Sequence, residues 1–139
     1  MFLVDTNVIS EIRKGPRADP GVTGFLLHAE LDLFLPVQVV GEMQSGIQLL
    51  RNRGDNAQAE RVEAWLAIIV ERFSSRILVF DLECAVAWGK IRAGSDQNQI
   101  DRQIAAIAQV YDLTIATRNV DHYAGSGVRL FNPFQANKV

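Results

Sequence analysis

An α/β/α sandwich, with a central parallel sheet of about five short strands flanked by helices, is the fold this sequence predicts. Two observations carry that expectation. Short apolar runs alternate with longer stretches whose apolar residues recur every three or four positions. The first three runs are wholly apolar, as strands covered by helices on both faces are. With 139 residues, the chain is one domain's worth and can bury a real core.

Phe2-Leu3-Val4 is too short for a helix and reads as a buried strand. Thr6 to Arg13 follows as a helix, which Gly15-Pro16 stops. Asp19-Pro20 opens a second helix, striped by Val22, Phe25, Leu26 and Ala29. Leu33-Phe34-Leu35 is a second strand, ended by Pro36. Val39, Met43, Ile47 and Leu50 predict a helix from Val37 to about Asn52. After a turn at Gly54-Asp55-Asn56, a helix from about Ala57 to Phe73 turns Val62, Trp65, Leu66, Ile69 and Phe73 inward. Ile77 to Phe80 is a third strand, and Leu82 to Ala93 a helix with Ala85, Trp88 and Ile91 inside. A polar loop over Gly94 to Gln99 leads into a helix from Ile100 through Tyr111. Leu113 to Thr117 and Val128 to Phe131 are the last two strands, before Asn132-Pro133 turns the chain. No repeat, low-complexity block or linker interrupts this order, so residues 1–139 are expected to form a single domain.

Bulk chemistry narrows the function classes. Hydrophobic content of 48% and charged content of 22% suit a soluble globular protein, with no run long enough to span a membrane. No basic stretch precedes a long apolar one, so no secretory signal is expected. The single cysteine, Cys84, excludes an internal disulfide and a cysteine-based zinc site, and the reducing cytoplasm is the expected compartment. A net charge of −2 and a pI near 5.6 argue against a dedicated nucleic-acid binder. An enzyme that cuts nucleic acid stays open, because a local cationic groove can sit on an acidic body.

The polar residues beside strand ends are the chemical signal. In open parallel sheets, sites form at the carboxyl ends of strands. Asp5 directly follows the first strand, Glu42 lies early in the helix after the second, and Asp101 starts the Ala-rich helix before the fourth. Thr117-Arg118-Asn119 follows the fourth strand. Gly46 lies four residues beyond Glu42, and Ala105 and Ala108 lie four and seven beyond Asp101. Small side chains on those helix faces leave the acids room to project into a cleft. Taken singly, each has an ordinary reading: Asp5 a cap, Glu42 a solvated helix residue, Asp101 a helix-dipole partner, Asn119 a turn residue. Together they need neutralising, since two carboxylates about 4 Å apart repel by roughly 4 kcal/mol at an effective dielectric near 20. No lysine stands beside them, and the two histidines, His28 and His122, read as lying elsewhere. A hard divalent cation such as Mg²⁺ is the economical solution, and carboxylate-held Mg²⁺ supports phosphodiester hydrolysis.

The same segments resemble the PIN-domain ribonucleases, closest to the VapC toxin family and its FitB-like branch. FLVDTNVISEIRKG, VVGEMQSGI and IDRQIAAIA are similar to that family's three acid motifs, with Asp5, Glu42 and Asp101 as the acids. IATRNVDHY and VRLFNPF resemble its segment after the fourth strand and its terminal strand and turn. The resemblance spans nearly the whole chain and implies a PIN-domain-like sandwich. It implies the toxin of a type II toxin–antitoxin system, a metal-dependent endoribonuclease of RNA, commonly transfer RNA, inhibited by a cognate VapB-type antitoxin. It further implies a homodimer and larger toxin–antitoxin assemblies on operator DNA through the antitoxin. Many relatives carry a fourth acid where this chain has Asn119, with Asp121 a substitute two residues on. That departure bears on whether the site takes one ion or two.

On this reading Asp5, Glu42 and Asp101 hold Mg²⁺, with Mn²⁺ as the alternative ion, and Asn119 with Thr117 orients a bound water. Cleavage would leave a 5′-phosphate and a 3′-hydroxyl. Thr6 and Asn7 brace the Asp5 loop, while Arg13, Lys14, Arg102 and Arg118 are candidates for RNA backbone contacts. Three alternatives remain. Asp5-Thr6-Asn7-Val8 resembles the nucleophile motif of haloacid-dehalogenase-like phosphatases, although Asn7 replaces their second Asp. A response-regulator receiver would need an acceptor at Asp81 and a lysine after the last strand, where only Lys138 follows. A non-catalytic PIN-like binding module would not need all three acids.

Overall fold

The computed structural model describes residues 1–93 and 97–134. Half of the predicted Gly94–Gln99 loop, residues 94–96, and Lys138 in the tail lie outside them. Five parallel strands run in the order β3-β2-β1-β4-β5: β1 (Phe2–Val4), β2 (Leu33–Pro36), β3 (Ile77–Leu78), β4 (Thr114–Ala116) and β5 (Leu130–Phe131). Parallel neighbours require crossovers, and the helices supply them. These are α1 (Thr6–Glu11), α2 (Pro20–His28), α3 (Val37–Asn52), α4 (Asn56–Arg72), α5 (Leu82–Arg92) and α6 (Gln99–Tyr111).

β1 is the central strand, paired with β2 on one side and β4 on the other. Its side chains divide the core between the two faces, since successive strand residues point oppositely. Val4 joins α1, α3 and α4 in one cluster with Val8, Val39, Ile47, Val62 and Leu66. Leu3 joins the other, with Cys84 of α5 and Ile104, Ala105 and Ile107 of α6. The predicted sandwich is therefore present, with β1 at its middle layer.

The helix starts follow capping chemistry. Asp19 caps α2, accepting from the Gly21 and Val22 amides at 2.8 and 3.4 Å, with Pro20 in the first helical position. Asp55 and Asp81 cap α4 and α5 through the amides of Gln58 and Cys84.

Several boundaries differ from expectation, for identifiable reasons. The first helix ends at Glu11 rather than Arg13, and a 3-10 helix, Ile12–Arg17, carries the chain onward. The break falls at Gly15, whose φ of 59° is open to a residue without Cβ. The third and fifth strands shrink to two residues each, because they lie at the sheet edges and pair on one side only. The fourth strand shortens to Thr114–Ala116. Trp65 and Trp88, predicted as core, are only partly buried, and Cys84 is the fully buried residue of α5. Two further 3-10 turns, Glu30–Asp32 and Val120–Tyr123, had no counterpart in the expected pattern.

Candidate active site

Strand order reverses between β1 and β4: β2 and β3 lie to one side of β1, β4 and β5 to the other. Crossovers leaving the two strands diverge there, which opens a crevice at their carboxyl ends. Asp5 extends β1 into that crevice, its amide still pairing with Ala116 O at 3.0 Å. Thr117 extends β4, its amide bonded to Phe131 O at 2.9 Å. Asp5, Thr6, Asn7, Glu42, Asn98, Gln99, Ile100, Asp101, Asn119 and His122 line the resulting cleft. All three sequence-predicted acids meet there, together with Asn119.

Asp5 is buried and tightly held. Its Oδ1 accepts the Thr6 amide at 2.8 Å, which caps α1. Its Oδ2 accepts the Thr117 hydroxyl and the Tyr123 hydroxyl, each at 2.9 Å. Thr6 donates its own hydroxyl to Glu42 Oε1 at 2.8 Å, tying α1 to α3. Asn7 reaches the far side: its Nδ2 donates to Thr117 Oγ1 at 3.3 Å, and its Oδ1 accepts the Arg118 amide at 3.0 Å. Thr6 and Asn7 thus tie the Asp5 loop to α3 and to the segment after β4.

The Thr117 hydroxyl is completely committed. It donates to Asp5 and accepts from Asn7 and from the Asn119 amide at 3.0 Å. One donor and two lone pairs are all a hydroxyl has. Buried and saturated, Thr117 has nothing left for a water, which corrects the expectation that it orients one. Asn119 is exposed and faces the cleft.

His122 is the clearest correction. Expected to lie away from the acids, it places Nδ1 2.9 Å from Asp101 Oδ2. The short turn Val120–Tyr123 therefore delivers two adjacent side chains to two acids, His122 to Asp101 and Tyr123 to Asp5. Nothing in local sequence periodicity marks Tyr123. The only signal is weaker: a lone phenol in a polar segment, whose hydroxyl when buried usually finds a partner.

The remaining expected contacts scatter. Asp121 is exposed and is not among the cleft-lining residues. Arg13 stacks over Trp65 at 5.6 Å, and Lys14 pairs with buried Glu11 at 2.8 Å. Neither lines the cleft. Arg118 lies over the Phe134 ring at 3.9 Å, and Arg102 donates to Gln97 O at 2.8 Å. Both adjoin cleft residues in the chain.

Electrostatics register the crowding of acids. Partial burial raises the Glu42 carboxyl, reinforced by Asp5 and Asp101 and opposed by the Thr6 hydroxyl. Burial likewise raises Asp101, with Asp5 adding to it and His122 and Tyr123 opposing. The Tyr123 hydroxyl is pushed far up by burial and by the same three carboxylates, so it remains a proton donor at any working pH.

For an acid whose folded pKa is raised, stability is fully present below the unfolded value and is lost as pH rises through the folded one. The unfolded value for Glu is about 4.3. In divalent-free buffer, Glu42→Gln should therefore melt higher than the parent at pH 7. The advantage should disappear as pH falls towards about 4, near the unfolded Glu value. A lower melting temperature for the variant at pH 7 would contradict the repulsion.

Whether these residues suit a metal ion can be judged from the donors. Among the described residues, no three His, Cys, Asp or Glu side chains form a ready-made metal cage. The three acids facing the cleft are nonetheless hard oxygen donors, and their charges repel one another. Both carboxamide atoms of Gln99, in the cleft wall, are buried with no partner of their own. Mutually repelling carboxylates in an open cleft fit a hydrated divalent ion, one that keeps most of its own waters.

Comparison with known proteins agrees with this geometry. The family model for the PIN domain matches residues 2–126. Toxin FitB of Neisseria gonorrhoeae (strain ATCC 700825 / FA 1090) is 36% identical over 141 residues, covering 96% of this chain and 99% of FitB. VapC ribonuclease Y4jK of Sinorhizobium fredii (strain NBRC 101917 / NGR234) is 25% identical over 142 residues, covering 97% and 99%. The solved structure of FitAB bound to an IR36 DNA fragment superposes with a TM-score of 0.78 at 35% identity, covering 96% of this chain and 95% of that one.

Proposed function

The chain belongs to the PIN-domain family, and on that premise we propose that it is the toxin of a toxin–antitoxin pair, an endoribonuclease that hydrolyses RNA in the β1/β4 cleft. One observation carries the reading: Asp5, Glu42 and Asp101, far apart in the chain, line a single cleft at the strand-order reversal. The similarity to a FitB toxin and to a VapC ribonuclease supports the biological and chemical halves respectively.

Asp5, Glu42 and Asp101 would hold the ion, Mg²⁺ or its stand-in Mn²⁺. When bound, it supplies water activation and neutralises charge on the phosphate and leaving oxygen. The chain's own residues do the rest. Thr6 and Thr117 fix two of the carboxylates by hydrogen bonds, so the acids need not reorganise on binding. Asn119, exposed at the cleft, orients the attacking water by a carboxamide that adds no charge. That lack of charge favours one ion over two. Arg102 and Arg118, adjacent in the chain to the cleft residues Asp101 and Asn119, would meet the RNA backbone. Arg13 and Lys14, engaged with Trp65 and Glu11, are secondary contacts.

A structured RNA such as transfer RNA is the proposed substrate. A cognate VapB-type antitoxin is the proposed inhibitor, and it would carry the toxin, as a homodimer, onto operator DNA. A solved structure of FitAB bound to a DNA fragment supports placing the pair on DNA. The cytoplasm is the proposed compartment, consistent with a free, buried Cys84. Among the described residues no helix is long and apolar enough to cross a membrane.

The deciding experiment expresses the chain with and without its antitoxin and maps new RNA 5′ ends. Growth arrest with discrete cuts at one RNA site, absent in Asp5→Asn, is the expected result. Antitoxin-free protein that cuts no RNA with Mg²⁺ or Mn²⁺ present would overturn the proposal.

A further inference from the structure

Asp5 has two oxygens, and the fold treats them differently. Oδ2 accepts two hydroxyl protons, from Thr117 and Tyr123 at 2.9 Å each, which uses both of its lone pairs. Oδ1 accepts only the Thr6 amide at 2.8 Å and keeps one lone pair. Asp5 and Tyr123 are both buried, with relative exposures of 4% and 2%, so water cannot substitute freely for either hydroxyl. The Tyr123 ring is locked in the core against Leu3, Ile104 and Ile115. Its hydroxyl therefore acts as a rigid stop behind the carboxylate.

From this asymmetry we propose that Tyr123 is a positioning residue that confines Asp5 to one-oxygen coordination through Oδ1, and so selects Mg²⁺ and Mn²⁺ over Ca²⁺. The inference rests on the metal-dependent nuclease reading above. Its physical basis is coordination geometry. Mg²⁺ demands a near-ideal octahedron, whereas Ca²⁺ takes six to eight oxygens and readily accepts a carboxylate through both. A carboxylate whose second oxygen is already filled suits the first ion and handicaps the second. The neighbouring His122 holds Asp101 from the same 3-10 turn, so Val120–Tyr123 sets how far apart the two acids stand.

The test is direct binding to the full-length protein without RNA. Titrations of Mg²⁺, Mn²⁺ and Ca²⁺ by calorimetry would compare the parent with Tyr123→Phe, which removes one oxygen atom. Losing such an orienting partner typically costs about 10- to 100-fold in metal affinity. Mg²⁺ and Mn²⁺ should weaken by that factor, and Ca²⁺ by much less, so the Mg²⁺-to-Ca²⁺ preference narrows by about tenfold or more. A purely structural role would lower the melting temperature and leave the preference unmoved, and that outcome overturns the proposal. A parent protein that binds none of the three ions overturns the nuclease reading itself.

A second measurement needs no variant. The Tyr123 hydroxyl proton, buried between ring and carboxylate, should give a slowly exchanging proton resonance that persists through Mg²⁺ titration. Its disappearance on Mg²⁺ binding would mean that Oδ2 turns to the ion, and the proposal would fail.

Discussion

Asp5→Asn should lower single-turnover RNA cleavage by at least about 10³-fold, equivalent to roughly 4 kcal/mol of transition-state stabilisation. The protein should nonetheless remain folded. Asparagine keeps an acceptor for the Thr6 amide, so the cap on α1 survives. Its amide nitrogen would face the Thr117 and Tyr123 hydroxyls, and a mismatched buried polar group costs about 1–3 kcal/mol. Removing one negative charge from between Glu42 and Asp101 offsets part of that cost. Cleavage of end-labelled RNA, measured beside thermal melts of the same samples, separates chemistry from folding. A variant cutting within tenfold of the parent would rule Asp5 out as an essential group.

Leu3→Ala should behave in the opposite way. Leu3 is fully buried at the middle of the central strand, facing Cys84, Ile104, Ile107 and Ile115. Truncating such a residue removes its transfer free energy and leaves a cavity that rigid neighbours cannot fill, at about 2–5 kcal/mol. Domains of this kind have only about 5–15 kcal/mol in total, so a large share of the stability disappears. Urea denaturation should show a clearly lower midpoint with little change in slope. At low temperature, where the variant is still folded, cleavage per folded molecule should stay within a few-fold of the parent. A loss below about 1 kcal/mol would mean that Leu3 is not at the packed centre.

The contrast between the two variants mirrors what could be read from the chain. Leu3 and Asp5 are two residues apart, yet Leu3 is legible as core from its apolar neighbours, while Asp5 read singly is a cap and becomes a site residue only beside Glu42 and Asp101. Strand and helix order, including the span Val37–Asn52, followed from apolar period and capping chemistry. Strand lengths did not, because Val79-Phe80 and Val128 look as apolar as the residues that pair. Whether they pair depends on a neighbour at the sheet edge, which no local pattern records.

Site residues divide along the same line. Asp5, Glu42, Asp101 and Asn119 stood out because each follows a strand or opens a helix, which is local information. Tyr123 and His122 did not, since their roles exist only through Asp5 and Asp101. Thr117 was legible as a strand-end residue, but its saturation needs Asn7, Asn119 and Asp5 at once.

The sequence by itself therefore determined the alternation of strands and helices, the absence of a cysteine site, and which acids stand at element ends. Those are matters of spacing within a few residues, where backbone geometry dictates which side chains share a face. Tertiary structure alone decided that Asp5 meets Thr117 and Tyr123, 112 and 118 residues away. Such contacts follow from strand order, with β4 inserted beside β1, and from two short turns that aim single side chains. Hydrogen bonds between distant residues leave no periodic trace, so which donors each oxygen of Asp5 accepts could be read only from the folded chain.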